Sequence, residues 1–318
     1  MRVLTGIAVL VPILVLTWVL TSGPWPAPAA QIEARHAADS LTRARLATLG
    51  GGDVDGWGAA LRPDALSLAH DADTARVGRD EAMSTMRRRP AGARPDIAAL
   101  AAPGARLATG ATRRGRLAWA AIAADDRSGA GGDGPMGAAR HTVAWLLRDD
   151  EWGVLLDHHA QAPTWEELRA GAVAGRFPPP APLAPSEGRA ASKLARRFER
   201  AIERYGRLRP DRQAVAVGPA GPGIAAGDSA VTAMLADWER RLGAPRITAD
   251  GLSVRVPRRR GVGWVSANLT VSPPDWGGVT LPLRLTAVYR ERGKSSWGLV
   301  LLHLSVAAPH PAPRAAAP

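Results

Sequence analysis

The chain has 318 residues, no cysteine, and 41 Lys and Arg against 29 Asp and Glu, for a formal net charge of +12. The lack of cysteine excludes disulfides, thiolate metal sites and a cysteine nucleophile, and a hydrophobic content of 46% excludes a largely disordered chain. Only Lys193 and Lys294 are lysines, and Ala, Gly and Pro are abundant. This bias is typical of GC-rich coding rather than of a polyanion-binding protein, so we expect no nucleic-acid partner.

The first 30 residues contain an apolar segment, residues 3–20, with Arg2 ahead of it. As a helix, a segment of about 18 residues would reach about 27 Å across a hydrocarbon core of roughly 30 Å. The small residues Ala27 and Ala29 match the spacing of a signal-peptidase site. Two interpretations follow: an uncleaved membrane anchor, which we favour, or a signal peptide cleaved near Ala29. Both place the rest of the chain on the extracytoplasmic, periplasmic side.

Two blocks, residues 31–176 and 191–309, repeat the same markers in the same order. The tetrapeptide Leu-Arg-Pro-Asp occurs at residues 61–64 and again at 208–211. Three further markers recur at a common offset of 145 positions: Trp119 with Trp264, Trp152 with Trp297, and His158 with His303. This constancy indicates a tandem duplication. The proline-rich residues 177–190 are predicted to be a linker, and the Pro/Ala tail, residues 310–318, to be disordered.

Each block begins with helices and ends in a sheet. The first block predicts a helix over 32–49 and a second helix that contains Trp57 and Leu61. The second block predicts a helix capped by Ser192, with one apolar face formed by Leu194, Phe198, Ile202 and Tyr205. A short strand, a glycine turn, and a helix starting at Asp80 or Asp228 come next, followed by a meander of antiparallel strands. The order indicates an α+β fold without βαβ units.

This order of elements is similar to that of the SnoaL-like branch of the nuclear transport factor 2-like superfamily. Three features carry the resemblance: the start of the third helix, a tryptophan in the sheet, and a last strand that reads Trp-Gly and then His. In the first block these are Asp80-Glu81-Ala82, Trp119 and Trp152-Gly153 through His158. In the second block they are Asp228-Ser229-Ala230, Trp264 and Trp297-Gly298 through His303. The resemblance spans nearly all of 31–309. It implies two tandem cone-like domains, each with helices packed on a strongly bent, mostly antiparallel sheet.

The resemblance does not select an activity, because the superfamily includes isomerases, cyclases, small-molecule binders and oligomerising modules. The tyrosine and aspartates of the steroid isomerases have no recognisable counterpart here, since Tyr205 and Tyr289 form no comparable set.

The last strand of each block carries the candidate site. Strand alternation predicts that Trp152 and His158 share one face, as do Trp297 and His303, while Asp157 points to the other side. If these faces line the cones, the expected ligand pocket comprises Trp119, Trp152, His158, Trp264, Trp297 and His303. The catalytic candidates are His158, His303 and, in the first block only, Asp157. The alternative for each histidine is a packed side chain bonded to a neighbour.

Two classes of function are compatible with these patterns. The leading hypothesis is a non-catalytic module that binds a small apolar ligand or associates through its sheets. The alternative is an isomerase or cyclase that uses a pocket histidine as acid or base. We expect no metal and no cofactor, and membrane contact through residues 3–20.

Overall fold

The computed structural model describes residues 27–68, 75–88, 97–125, 138–184, 186, 188–203, 208–221, 223–257, 261–293 and 296–307. The predicted anchor and the predicted C-terminal tail lie outside these residues, as does Tyr205. The described part of the chain contains two six-stranded sheets, each with its own helices.

The first half begins with a long helix, α1 (Ala29–Gly50), which buries Ala34, Ala38, Leu46 and Leu49. The elements that follow alternate short helices with strands and end in a four-stranded meander. They are α2 (Val54–Ala59), β1 (Leu61–Leu68), β2 (Arg76–Val77), α3 (Arg79–Arg88), α4 (Ile97–Ala101), β3 (Arg106–Ala111), β4 (Leu117–Asp125), β5 (Ala138–Arg148) and β6 (Glu151–Ala162).

The second half repeats this order after two helices. Its elements are α5 (Trp165–Val173), α6 (Arg189–Ile202), β7 (Pro210–Val217), β8 (Ile224–Ala226), α7 (Asp228–Arg241), β9 (Arg246–Arg255), β10 (Val262–Ser272), β11 (Leu281–Glu291) and β12 (Trp297–Ser305).

The two sheets have the same topology. Their strand orders are β2-β1-β6-β5-β4-β3 and β8-β7-β12-β11-β10-β9. Pairing is antiparallel except where β1 runs parallel to β6 and β7 runs parallel to β12. Trp119 and Trp264 occupy the equivalent strands β4 and β10, and His158 and His303 the equivalent strands β6 and β12. The predicted α+β class and the tandem duplication are confirmed.

Two local predictions need correction. Helix α6 starts at Arg189 after Gly188, and Ser192 lies inside its first turn, where the Ser192 hydroxyl bonds to the Gly188 carbonyl oxygen instead of capping the helix. Leu61 is the first residue of β1, because α2 already ends at Ala59.

Each sheet has one helix-covered face and one face directed at the other sheet. In the first domain the helix-covered core joins α1 to Ala120, Val143 and Trp145. In the second domain this core joins α6 and α7 to Val265, Leu285 and Leu302, and it includes Leu168, Ala172 and Phe177 from α5 and the segment after it. Although α5 lies in the first block of the sequence, it therefore packs into the second domain.

A third apolar cluster joins the two domains. It contains residues from both sheets, among them Leu66, Trp119, Val217, Trp264 and Leu301. Each of these five side chains is at most 1% exposed. The two sheets therefore pack against each other through the faces that carry no helices, which we call the interface faces.

Candidate functional site

A β-bulge interrupts the alternation of each last strand. Trp145 pairs with Val154 and Ala144 pairs with Leu156, so Leu155 is an extra residue in β6. Val300 is the extra residue at the same place in β12. Because one added residue reverses the facing of everything beyond it, Val154 packs in the helix-covered core while Leu156 packs in the interface.

The bulge separates the predicted pocket residues. Trp152 packs against the helix-covered core of the first domain, and Trp297 belongs to that of the second. His158 and His303 instead lie on the interface faces, with Trp119 and Trp264. The prediction that Trp152 and His158 share a face is therefore wrong, and so is its counterpart for Trp297 and His303. The six side chains do not converge on one pocket.

The two histidines stack on each other where the sheets meet. Their ring centroids are 3.7 Å apart with planes 17° from parallel. His158 Nδ1 lies 2.7 Å from the Thr286 hydroxyl, and His303 Nδ1 lies 3.0 Å from the Thr142 hydroxyl. Thr142 and Thr286 pair with His158 and His303 at equivalent positions of the two sheets. The hydrogen bonds thus cross between domains with approximate two-fold symmetry.

The tryptophans reinforce this contact. The Trp119 indole N–H donates to the Gln213 carbonyl oxygen at 2.9 Å, and the Trp264 indole N–H donates to the Asp64 carbonyl oxygen at 3.3 Å. Both bonds cross from one domain to the other. Since a buried indole or imidazole nitrogen needs a partner, these contacts satisfy both indole nitrogens and Nδ1 of each histidine within the interface between the domains. His303 Nε2 is buried and bonds to none of the described residues.

A different group of polar side chains lies on the helix-covered face of the first domain. Asp157 Oδ2 lies 2.9 Å from Arg45 Nη2, and Asp157 Oδ1 bonds with His141 Nε2. The Arg45 guanidinium also stacks 4.5 Å above the Trp57 ring and donates to the Trp57 carbonyl oxygen. His159, the register partner of His141, lies beside it with ring centroids 6.3 Å apart. We call Arg45, His141 and Asp157 the polar cluster.

The polar cluster is almost fully buried. Arg45, His141 and Asp157 are 5%, 3% and 4% exposed. Burial alone would raise the pKa of Asp157, but the charge of Arg45, the charge of His141 and their hydrogen bonds outweigh it and hold this pKa well below its ordinary value. Asp157 is therefore an ionised carboxylate at neutral pH. His141 Nδ1 is buried and bonds to nothing among the described residues.

The second domain replaces the strand residues of this cluster with leucine. Register pairing makes His141 equivalent to Leu285, Asp157 to Leu302 and His159 to Leu304. All three leucines belong to the helix-covered core of the second domain. At these three positions the first domain thus has polar side chains and the second has only hydrocarbon.

The first domain also carries smaller side chains next to the cluster. Ala124 pairs with Ala139, and the equivalent pair in the second domain is Leu269 with Leu283. Both alanines belong to the helix-covered core. The same face therefore presents less hydrocarbon and more polar groups in the first domain than in the second.

Sequence reasoning found Asp157 but missed its partners. Arg45 lies 112 positions away on a helix, and no sequence pattern connects it to β6. His141 could have been found, because β5 and β6 form a hairpin across Asp149-Asp150 that places residues near 141 opposite residues near 159.

Two further expectations concern membranes and metals. No helix in the described part of the chain is long and apolar enough to span a membrane, and the predicted anchor lies outside that part. Among the same residues, no group of three His, Asp or Glu side chains is arranged to hold a metal ion.

No protein-family model and no curated protein matches the chain. Several solved structures do match parts of the chain. A nuclear transport factor 2-like protein of unknown function from Pseudomonas putida is 19% identical, with a TM-score of 0.32 over 36% of this chain and 85% of its own. A nuclear transport factor 2 superfamily protein from Salmonella enterica is 15% identical, with a TM-score of 0.29 over 41% of this chain and 94% of its own. An uncharacterized protein with a cystatin-like fold from Caulobacter vibrioides is 16% identical, with a TM-score of 0.30 over 37% of this chain and 87% of its own.

Proposed function

We propose that the protein is an exported, membrane-anchored module that binds a small ligand in its first domain, and that its second domain is a permanent structural partner. The observation that carries the proposal is the polar cluster, which is present in one copy of a duplicated domain and replaced by leucines in the other. A buried ion pair is weak evidence for stability, because apolar packing can replace it without loss. The second domain contains such a replacement.

The ligand's place is the helix-covered face of the first sheet, beside the polar cluster. Ala124 and Ala139 give this face less hydrocarbon than Leu269 and Leu283 give the second domain. His141 Nδ1 offers one polar atom that is not used by the described residues. A mostly apolar wall with a few convergent polar groups is the usual composition of a small-molecule site.

Native mass spectrometry of the detergent-solubilised full chain tests the ligand. We expect a co-purifying small molecule that is lost from Ala124→Leu and Ala139→Leu, which introduce the side chains of the second domain. Asp211→Asn is the matched control, because Asp211 is a buried carboxylate paired with Arg290 at 2.5 Å in the second domain. A molecule that remains bound to both leucine variants, or that is lost equally from the control, would contradict the proposed site.

The stability of the leucine variants provides an independent readout. If the face has room for a ligand, the added methylenes are accommodated and the free energy of unfolding changes little. If the face is already close-packed, each variant loses about 1–3 kcal/mol, and the site is filled by protein.

The anchor is proposed from residues 3–20. Mass spectrometry of the mature protein extracted from membranes should find these residues still attached. A mature N-terminus near Ala30 would show that the segment is a cleaved signal peptide, and the proposed ligand site would be unaffected.

A second candidate function is acid–base catalysis of the isomerase or cyclase kind. It is favoured by the Asp157–His141 hydrogen bond, because a carboxylate that orients one imidazole nitrogen leaves the other to move a proton. The acid–base residue would then be His141 and not His158 or His303. Incubating the co-purifying molecule with wild type and with His141→Gln separates the two functions: conversion by wild type alone supports catalysis, while unchanged binding in both supports a binding protein.

A further inference from the structure

The turn between β3 and β4 carries three exposed arginines, Arg113, Arg114 and Arg116. None of them forms an ion pair with any residue that the structure describes. We call this segment the arginine turn. It borders a cleft of about 880 Å³ between the hairpin ends of the two domains.

The arginine turn lies against the start of α1. Gly115 in this turn has φ of +67°, and a Cβ added there would collide with the carbonyl oxygen of Ala30. Ile32, in the first turn of α1, is 44% exposed. The only other large apolar side chain found exposed in the described ranges is Val173. A basic turn and an exposed isoleucine therefore meet where the chain enters α1.

This position is within a short distance of the apolar segment. Leu20 is nine residues before Ala29, so the connection spans at most about 30 Å even when fully extended. Pro24, Pro26 and Pro28 interrupt it, and proline favours extended spacers over helix. An inserted segment 3–20 would thus keep the arginine turn near the membrane surface, where basic residues are attracted to anionic head groups.

We propose that the arginine turn binds the phosphate head groups of anionic lipids in the membrane that holds residues 3–20, with Ile32 at the boundary between membrane and water. This rests on the anchor of the proposed function and adds a second, electrostatic contact to it. Guanidinium groups suit this role because their N–H donors match phosphate oxygens in a two-pronged arrangement.

The cleft itself favours this partner over a soluble polyanion. Its walls also carry Asp149, Asp150 and Glu291, and Arg148 pairs with Asp149 at 2.9 Å. A polyanion entering the cleft would meet these carboxylates. A membrane surface would instead contact the exposed arginine turn from outside the cleft, beside the start of α1, where Ile32 is also exposed.

The test uses the full chain reconstituted into vesicles of phosphatidylcholine alone or mixed with phosphatidylglycerol, and amide hydrogen exchange of residues 112–117. We expect slower exchange on the anionic vesicles for wild type and no such difference for the triple variant Arg113→Gln, Arg114→Gln, Arg116→Gln. The matched control is Arg189→Gln, Arg196→Gln, Arg200→Gln, which removes three exposed charges from α6 and should behave as wild type.

Partitioning of the same proteins gives the magnitude and separates the two proposals. If residues 3–20 are not inserted in the membrane, replacing the three arginines should lower partitioning of the protein onto anionic vesicles by about 100-fold. If high salt removed the full chain from neutral vesicles, the anchor would be disproved. Binding to anionic vesicles that depends on the three arginines would still support the lipid site at the arginine turn. Equal exchange on both vesicle types, or equal protection by inorganic phosphate without vesicles, would overturn the lipid site.

Discussion

Asp157 is a buried charge in the first half of the molecule, and leucine stands at the equivalent position of the second half. Its carboxylate is buried, and it remains ionised because Arg45 and His141 face it from α1 and β5. Removing water from two charges costs several kcal/mol per ion unless the geometry compensates for it. Leu302 occupies the equivalent position at no such cost, which is why we assign the cluster to function.

Replacing Asp157 with asparagine should destabilise the protein by about 3–5 kcal/mol, because Arg45 would remain buried without a counter-charge. The double variant Arg45→Met, Asp157→Leu should recover most of this loss, as apolar residues do at other buried ion pairs. Urea denaturation at neutral pH measures both. If the single variant were as stable as wild type, the ion pair would be unimportant for the fold.

The carboxylate of Asp157 also predicts how the stability of the protein depends on pH in acid. The pKa of Asp157 is lower in the folded protein than in the unfolded chain, so its contribution to stability is complete above the unfolded pKa of about 4 and is lost as the pH falls further. In the double variant the free energy of unfolding should decline less steeply below about pH 4. Equal slopes in both proteins would show that other carboxylates control acid unfolding.

The bulges in β6 and β12 determine which elements meet at the interface. If the same residues were paired in regular strands, without the bulges at Leu155 and Val300, alternation would direct His158 and His303 toward the helices and Asp157 toward the other domain. The bulge has no signature in the sequence, since Val154-Leu155-Leu156 reads as an ordinary buried strand. One undetected residue was enough to misplace the predicted pocket.

Inserting one alanine between Leu156 and Asp157 should therefore abolish cooperative folding, because His158 would be moved into the helix-covered core and Asp157 into the interface. Inserting one alanine after Ala184, in a segment without regular structure, provides a control that should remain folded. Circular dichroism and thermal melting of both insertion variants distinguish them. A cooperative melt for the insertion in β6 would mean that the register of this strand can slip.

The elements themselves were largely predictable. The helices that start near Asp80 and Asp228 follow from the aspartates at their starts, and the antiparallel meander that contains Trp264 follows from strand-forming residues separated by turns. The parallel pairing of β1 with β6 could not be predicted, because it joins residues far apart in the chain. The packing of α5 into the second domain is unpredictable for the same reason, since its apolar residues Leu168 and Ala172 are compatible with either core.

At the scale of the whole molecule, the duplication places two copies of one surface in contact. Trp119 and Trp264 are both fully buried between the sheets. Either half alone would expose this apolar face to water, and exposed patches of this kind favour association or aggregation.

Residues 27–163 and residues 164–318, produced as separate chains, should aggregate when alone and form a soluble one-to-one complex when co-expressed. The cut precedes α5 because α5 packs with the second domain. Trp264→Ala should weaken the complex by about 3–5 kcal/mol through the cavity that it leaves. Two halves that are soluble and monomeric on their own would show that the interface contributes little.

Protonation of His303 should also weaken the contact between domains. The pKa of His303 is held well below 6.5, first by burial and then by His158 and Arg140. Thr142 is its hydrogen-bond partner, and His141 and His159 add weaker repulsion. The neutral ring contributes stability that is complete above about pH 6.5 and is lost as the pH falls below it. The expected slope is up to about 1.4 kcal/mol per pH unit.

This slope should disappear in His303→Phe and persist in His36→Gln, since His36 is exposed on α1. Urea denaturation between about pH 7 and pH 5 measures it. A slope that is unchanged in His303→Phe would assign the pH dependence to other groups.

The crossed bonds between His158 and Thr286 and between His303 and Thr142 have a consequence for how such a chain can change over time. In a pair of identical subunits, every mutation appears twice at the contact and twice in the interior, so a costly polar interior cannot be confined to one subunit. Joining the copies in one polypeptide removes that restriction. One copy can then carry the polar cluster while the other carries leucines at the same positions, and the contact between the copies keeps its approximate two-fold symmetry.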